Sequence, residues 1–233
     1  MKKMQTSNFS KTFRRIHDRN RRRLRRVGRV ALNCVKATSM TLGLLVFALG
    51  SPGQAWAANL PSGATVVHGA VDLQQQGNDA LRILQGSQSA IVNWQSFDIG
   101  ANALVDIVQP NIDSALLSRI VGGNPSEILG SLNANGHLFL VNPNGIIFGK
   151  DSTVDVHALI ASTLDIADSA FLSGNISFTG DSEAAVINLG SINAKSFAAL
   201  IGGKVSNAGS ITSSGGDVAL LAADATLEVG EAA

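Results

Sequence analysis

The sequence predicts an all-β chain wound as a parallel β-helix, and three observations predict it. Apolar residues come in short runs cut by turn residues. Examples are Ala80-Leu-Arg-Ile-Leu84, Ala103-Leu-Val-Asp-Ile-Val108, His137-Leu-Phe-Leu-Val141 and Ala185-Val-Ile-Asn-Leu189, which have strand lengths and β-branched residues. An imperfect repeat runs through them: Gly130-Ser-Leu-Asn-Ala-Asn-Gly136 is echoed by Gly190-Ser-Ile-Asn-Ala-Lys195 and Gly209-Ser-Ile-Thr-Ser-Ser-Gly215, at separations of 60 and 19 residues. Such recurrence suits a coil of about 20 residues that buries its apolar side chains against neighbouring coils. The third observation is a composition fit for a narrow interior. From residue 58 onward the chain has six Phe, one Trp and no Tyr. A β-sandwich is the structural alternative, but it does not need the Gly-Ser-Ile/Leu-Asn recurrence.

Taken in order, the chain opens on a leader. The formal charge of the 233 residues is +1, yet 13 of the 18 basic residues fall within residues 1–36, where Asp18 is the one acid. Behind them lies Ala37-Thr-Ser-Met-Thr-Leu-Gly-Leu-Leu-Val-Phe-Ala-Leu-Gly50, then Ser51-Pro-Gly53 and the small-x-small site Ala55-Trp-Ala57-Ala58. That is a signal peptide over 1–57 with a long basic n-region, cut after Ala57 or Ala58. Its apolar run falls short of the roughly 20 residues of a membrane span. The arginines alone would also suit nucleic acid. However, residues 58–233 carry five basic and 16 acidic residues, a charge of −11 that repels phosphate, so no nucleic-acid partner is expected. Cys34, the one cysteine, leaves with the leader and rules out an intramolecular disulfide framework or a multi-cysteine zinc module.

The remaining 58–233 reads as one domain. Ala90-Ile-Val-Asn-Trp94 is a strand, and Trp94 with Phe97 is expected to seal the start of the solenoid rather than to stack on sugar. Asn111–Val121, between Pro110 and Gly122-Gly123, allows one short helix or an extended stretch. Gly149-Lys-Asp-Ser-Thr-Val-Asp-Val156 and Phe171-Leu-Ser-Gly-Asn-Ile-Ser-Phe178 are expected to fill rungs between the repeats. Asn142-Pro-Asn-Gly145 is the sharpest turn signal. Proline fixes φ at its second position and the Asn side chains can satisfy nearby backbone donors. Gln109-Pro-Asn111 reads as a related corner. The carboxyl end, Leu227-Glu-Val-Gly-Glu-Ala-Ala233, shows no cap, so the domain is expected to be truncated or to lack downstream repeats.

No catalytic or metal constellation emerges. His68, His137 and His157 lack metal-ligand spacing and read as strand-face or turn residues, so no metal and no cofactor is expected. Asp151 and Asp155 share a strand face but lack a third acid at a defined spacing, and read as solvated. Nucleophile elbows and phosphate loops are absent.

Together, Ala90-Ile-Val-Asn-Trp-Gln-Ser-Phe-Asp-Ile-Gly100, Val108-Gln-Pro-Asn111, Arg119-Ile-Val-Gly-Gly-Asn-Pro-Ser-Glu-Ile-Leu-Gly130, Leu132-Asn-Ala-Asn-Gly136 and Leu140-Val-Asn-Pro-Asn-Gly-Ile-Ile-Phe-Gly149 carry a resemblance. The chain resembles the amino-terminal secretion domain of two-partner-secreted exoproteins of the filamentous-haemagglutinin type. The resemblance implies a right-handed parallel β-helix with an amino-terminal cap, and an export address rather than an enzyme. It also implies passage through the general secretory machinery. Recognition by a partner outer-membrane β-barrel transporter with periplasmic polypeptide-binding domains follows, with delivery to the surface or medium of a Gram-negative bacterium. Any host-surface or glycan ligand is assigned to a downstream region. Gln109, Pro110, Asn111, Asn142, Pro143, Asn144 and Gly145 are the expected recognition and folding turns. At the first of them, Gln109-Pro-Asn-Ile112 stands where the family has Asn-Pro-Asn-Leu. Two rival functions are a self-contained carbohydrate- or protein-binding adhesin and a carbohydrate-active β-helix enzyme using Asp151 and Asp155.

Overall fold

The computed structural model of the protein describes residues 60–222. The expected signal peptide over 1–57, its expected cleavage residues Ala55, Ala57 and Ala58, and the expected 227–233 coil lie outside the described residues. What is described is all-β, a parallel β-helix of about six turns.

Three columns of parallel strands form the walls. The first stacks β3 (Ala80–Gln85), β5 (Leu104–Val108) and the leading halves of β8 (Ser131–Val141), β10 (Thr153–Ser162) and β14 (Ser191–Gly202), then β16 (Ser210–Ser213). The second stacks β4 (Ser89–Trp94), β6 (Ala115–Ile120), the trailing halves of β8, β10 and β14, and β17 (Val218–Ala222). The third is β7 (Ser126–Ile128), β9 (Ile146–Phe148), β13 (Ala185–Asn188) and β15 (Lys204–Asn207). The window after Pro110 is therefore extended at β6, because its Leu116 and Leu117 face opposite apolar layers.

Along the first column Ala80, Leu104, Ser131, Thr153, Ser191 and Ser210 lie side by side, giving coils of 24, 27, 22, 38 and 19 residues. Leu81, Val105, Leu132, Val154, Ile192 and Ile211 stack inward next to them. Branched side chains of this size suit a narrow, closely packed interior.

The repeat marks the corner that enters the first column. At each coil the strand's first amide bonds the carbonyl stacked on the preceding coil: Ser131 to Ala103, Thr153 to Gly130, Ser191 to Ser152, Ser210 to Gly190, at 2.8–3.1 Å. Backbones approach so closely there that a Cβ on Gly190 would sit 2.7 Å from the Ser152 carbonyl.

One expected rung is not a rung. Residues 149–156 do enter the stack as β10, but 171–178 leave it. The 38-residue coil makes an excursion built from β11 (Asp165–Ile166), the short helix α1 (Asp168–Leu172) and β12 (Phe178–Thr179). The reason is the second column, whose strands are apolar on both faces. Its outer face presents Ile91, Leu117, Phe139, Val141, Ala158 and Ile160, and the excursion covers them with Ile166, Phe171 and Ile176. Phe171 meets Phe139 edge-on, with ring centroids 5.1 Å apart. The 60-residue separation in the repeat thus holds two coils, not three.

The amino-terminal end is closed by a reversed strand. From Ser62 opposite Ser96 to Gln76 opposite Ala80, the chain runs back along the first coil. It forms β1 (Thr65–His68) antiparallel to β4 and β2 (Val71–Gln76) antiparallel to β3, turning at Gly69 with φ +84°. This is the amino-terminal cap.

Candidate functional site: two amide-braced turns

The first turn follows β5. Pro110 has no N–H to extend the ladder, and Asn111 folds the chain locally: its Oδ1 accepts from the Asp113 amide at 3.0 Å, and its Nδ2 donates to Gln88 Oε1 at 2.9 Å. Gln109 turns inward and is buried. Its Oε1 accepts from the Gly136 amide at 2.9 Å, and its Nε2 donates to Gln85 Oε1 and the Ser114 carbonyl, both at 3.1 Å. Its backbone forms a reciprocal pair with Asn135: Gln109 N–H to Asn135 Oδ1 at 2.6 Å, Asn135 Nδ2 to the Gln109 carbonyl at 2.9 Å. Gln85 continues the network to the carbonyls of Ser87 and Ala115 at 2.7 and 3.1 Å. Three coils are thereby joined through two buried amides, each saturating groups that burial would otherwise leave unpaired.

The second turn follows β8. Asn142 is fully buried. Its Nδ2 donates to the Asn124 carbonyl and to Ser126 Oγ, both at 3.0 Å, while its Oδ1 accepts from the Asn144 amide at 2.9 Å. Asn144 Nδ2 reaches back to the Gly122 carbonyl at 2.8 Å, so both asparagines grip the preceding coil. Pro143 leads outward, and its carbonyl accepts from Ser182 Oγ at 2.6 Å. Gly145 closes the turn with its N–H on the Asn142 carbonyl at 3.1 Å and a φ of +117°, which a side chain would strain.

These turns lie at different corners of the prism, yet one strand meets both. β8 is held by Gln109 in its middle, at Asn135 and Gly136, and leads at its end directly into Asn142. Trp94 and Phe97 sit in the first coil below the reversed strand, fully buried and edge-to-face with ring centroids 5.4 Å apart.

Beside the first turn, His137 stacks on His157 with centroids 5.6 Å apart. Burial, then the neighbouring His157, lowers the His137 pKa to about 4 against a smaller opposite pull from Asp113. His157 is also lowered, by burial and by Lys195, again opposed by Asp113. A buried His137 stacked on a half-buried His157 suits packing. Asp151 is exposed in the turn before β10, and Asp155 accepts from Asn193 Nδ2 at 2.9 Å on an exposed face. Among the described residues, no group of three or more His, Cys, Asp or Glu is placed to hold a metal ion.

Sequence reasoning missed Gln85, Asn135, Ser126 and Arg119. Arg119 clamps the excursion, donating to Asp165 and Asp168 at 2.8 Å and to the Ile166 carbonyl at 2.6 Å. Burial works against its charge, but the two carboxylates prevail and raise its pKa. For Asn135 the signal was present in Leu132-Asn-Ala-Asn-Gly136, whose Asn-Gly marks a corner.

The TPS secretion domain family model matches residues 57–233. A Heme/hemopexin-binding protein of Haemophilus influenzae is 39% identical over 165 residues, 66% of this chain and 18% of that protein. A second protein of that name from the same species is 37% identical over 129 residues, covering 54% and 14%. The chain thus spans less than a fifth of the length of these curated relatives. The crystal structure of the HMW1 secretion domain from Haemophilus influenzae superposes with a TM-score of 0.66 at 38% identity, covering 70% of this chain and 44% of that one. The chain belongs to the TPS secretion domain family, the secretion-targeting domains of exoproteins that leave Gram-negative bacteria through the outer membrane in two-partner secretion.

Proposed function

We propose that residues 58–233 are an export address read in the periplasm, after passage through the general secretory machinery. The reader is the periplasmic polypeptide-binding part of a partner outer-membrane β-barrel transporter. Recognition acts on extended chain: alternating strand segments pair by main-chain hydrogen bonds with a partner edge, and side-chain pockets add selectivity. Once outside, the chain folds from its first coils. Trp94 and Phe97 fill the first interior layer, and the turns at Gln109–Asn111 and Asn142–Gly145 set the next coils, on which later coils add one at a time. Folding outside the cell opposes backsliding without a nucleotide-driven motor.

The observation that supports this reading best is the convergence of both turns on β8. The amide contacts of Gln109 and Asn142 join residues from different coils, so they form when coils stack and are absent from extended chain. The test is export of Asn142→Ala and Asn144→Ala variants in cells that carry the partner barrel. Reduced appearance outside the cell is expected, with the chain retained and degraded in the periplasm. Unchanged export removes the role assigned to this turn.

A further inference from the structure

We propose that Asn135 and Asn144 are self-modification sites, protected by the finished fold and open to succinimide formation in unfolded chain. The sequence contains two Asn-Gly bonds, Asn135-Gly136 and Asn144-Gly145; the fold places the first in β8 against the Gln109 turn and the second in the Asn142 turn. An Asn followed by Gly cyclises readily, because glycine has no side chain to hinder its amide nitrogen and tolerates the backbone geometry that attack requires. The Gly nitrogen attacks the Asn Cγ and a C–N bond forms. The Cγ–Nδ2 bond breaks, and the Gly amide proton departs with Nδ2 as ammonia. Water then opens the succinimide at either carbonyl, leaving Asp or iso-Asp. No oxidant, metal or second protein takes part.

The fold blocks each step by holding the reacting groups, not by excluding water, since both asparagines are exposed. The Gly136 nucleophile donates its hydrogen to Gln109 Oε1 at 2.9 Å, and the Asn135 carboxamide is held on both sides by the Gln109 backbone at 2.6 and 2.9 Å. The Gly145 nucleophile donates to the Asn142 carbonyl at 3.1 Å, while the Asn144 carboxamide is tethered to the Gly122 carbonyl at 2.8 Å and to Asn142 Oδ1 at 3.2 Å. A side chain is resisted at both glycines: a Cβ on Gly136 would lie 2.7 Å from the backbone carbonyl of Ser114, and Gly145 has a φ of +117°. Both sites therefore favour the labile pair.

The products do not fit. An Asp at 135 has no Nδ2 to give the Gln109 carbonyl and sets a negative charge against it. An iso-Asp lengthens the backbone by one carbon in the middle of β8 and breaks the bend between its halves. The reaction is thus a timer on the unfolded chain, and its bearing on export rests on the function proposed above.

The test compares the full chain kept folded in mildly alkaline buffer with the same chain kept unfolded in urea, sampled over days. Peptide mass spectrometry reads the gain of mass at each Asn as NH2 becomes OH. Conversion at Asn135 and Asn144 at least about tenfold faster in the unfolded chain is expected, in line with protection that depends on local opening. Equal rates in the two states overturn the proposal. In folded Gln109→Ala, conversion rises at Asn135 while Asn144 stays protected and reports that the coils remain stacked. If both rise, the coils have opened and fold-dependent protection is again seen. If Asn135 is unchanged, the role of Gln109 is lost. No transporter enters these measurements, so they fail or succeed independently of the export reading.

Discussion

Replacing His137 by Gln should flatten the acid sensitivity of the solenoid. Between pH 6.5 and 4 the unfolded imidazole takes up a proton that the folded one, with its pKa lowered to about 4, does not. Above that window both states are neutral and the residue contributes no pH dependence. Stability is therefore lost as pH falls through 6.5, and the loss levels off near 4. Between about pH 7.5 and about pH 5 the His137 share of the loss is about 2 kcal/mol. The assay is urea unfolding of wild type and His137→Gln at both pH values, read by far-ultraviolet circular dichroism. Removing the stack lowers stability at every pH, so the slope decides and the absolute value does not. Because the carboxylates remain in both proteins, the difference in slope reports His137 together with the change its loss makes in its stacking partner His157. Identical pH slopes in the two proteins would refute the reasoning, as would a nuclear magnetic resonance titration showing His137 protonated near its ordinary pKa.

Three further outcomes follow from the same contacts. Gln109→Ala strips a buried partner from the Gly136 amide and the Gln85 amide, and should cost about 2–4 kcal/mol in urea unfolding. Gly190→Ala drives a Cβ against the Gly149 carbonyl and the Ser152 hydroxyl, and should cost about 3 kcal/mol with a lowered midpoint of thermal unfolding. Arg119→Ala releases Asp165, Asp168 and the Ile166 carbonyl. Limited proteolysis should then cut within residues 165–180 at protease levels that leave wild type intact, while the coils stay resistant.

How legible the fold was depended on whether a contact repeats along the chain. Gly130, Gly190 and Gly209 recur because the same close backbone approach recurs at three of the coil corners, and that marks a solenoid in one sequence. The inward ladder from Leu81 to Ile211 shows through strand alternation for the same reason. The excursion left no periodic trace. Its need is written instead in unbroken apolar stretches such as Leu138-Phe-Leu-Val141 and Ala198-Ala-Leu-Ile201, which signal strands covered on both faces. What covers them lies in Ile166, Phe171 and Ile176, distant in sequence, and only folding brings them together. The Asn142 turn was legible because its proline, its Asn142 Oδ1 to Asn144 amide bond and its positive-φ glycine are local, although its side-chain amides also reach 16 to 22 residues back. Gln109 was found as a corner residue, but its side-chain partners are 24 and 27 residues away, at Gln85 and Gly136. Arg119 looked like an ordinary strand residue, since its two carboxylates come 46 and 49 positions later.

The reversed strand over the first coil also governs how copies of the molecule can meet. A head-to-tail contact between identical subunits repeats without closing and grows into a fibre. Six-turn solenoids are natural candidates for such growth, because each coil edge is a template for the next. The stack runs parallel throughout, but residues 62–76 oppose that direction. A second molecule brought to this end finds no strand that continues the parallel ladder, and its Ser, Val and Ile columns meet a strand of the wrong sense. One run of chain laid backwards thus closes this end of the rod to parallel continuation of its ladder by another copy.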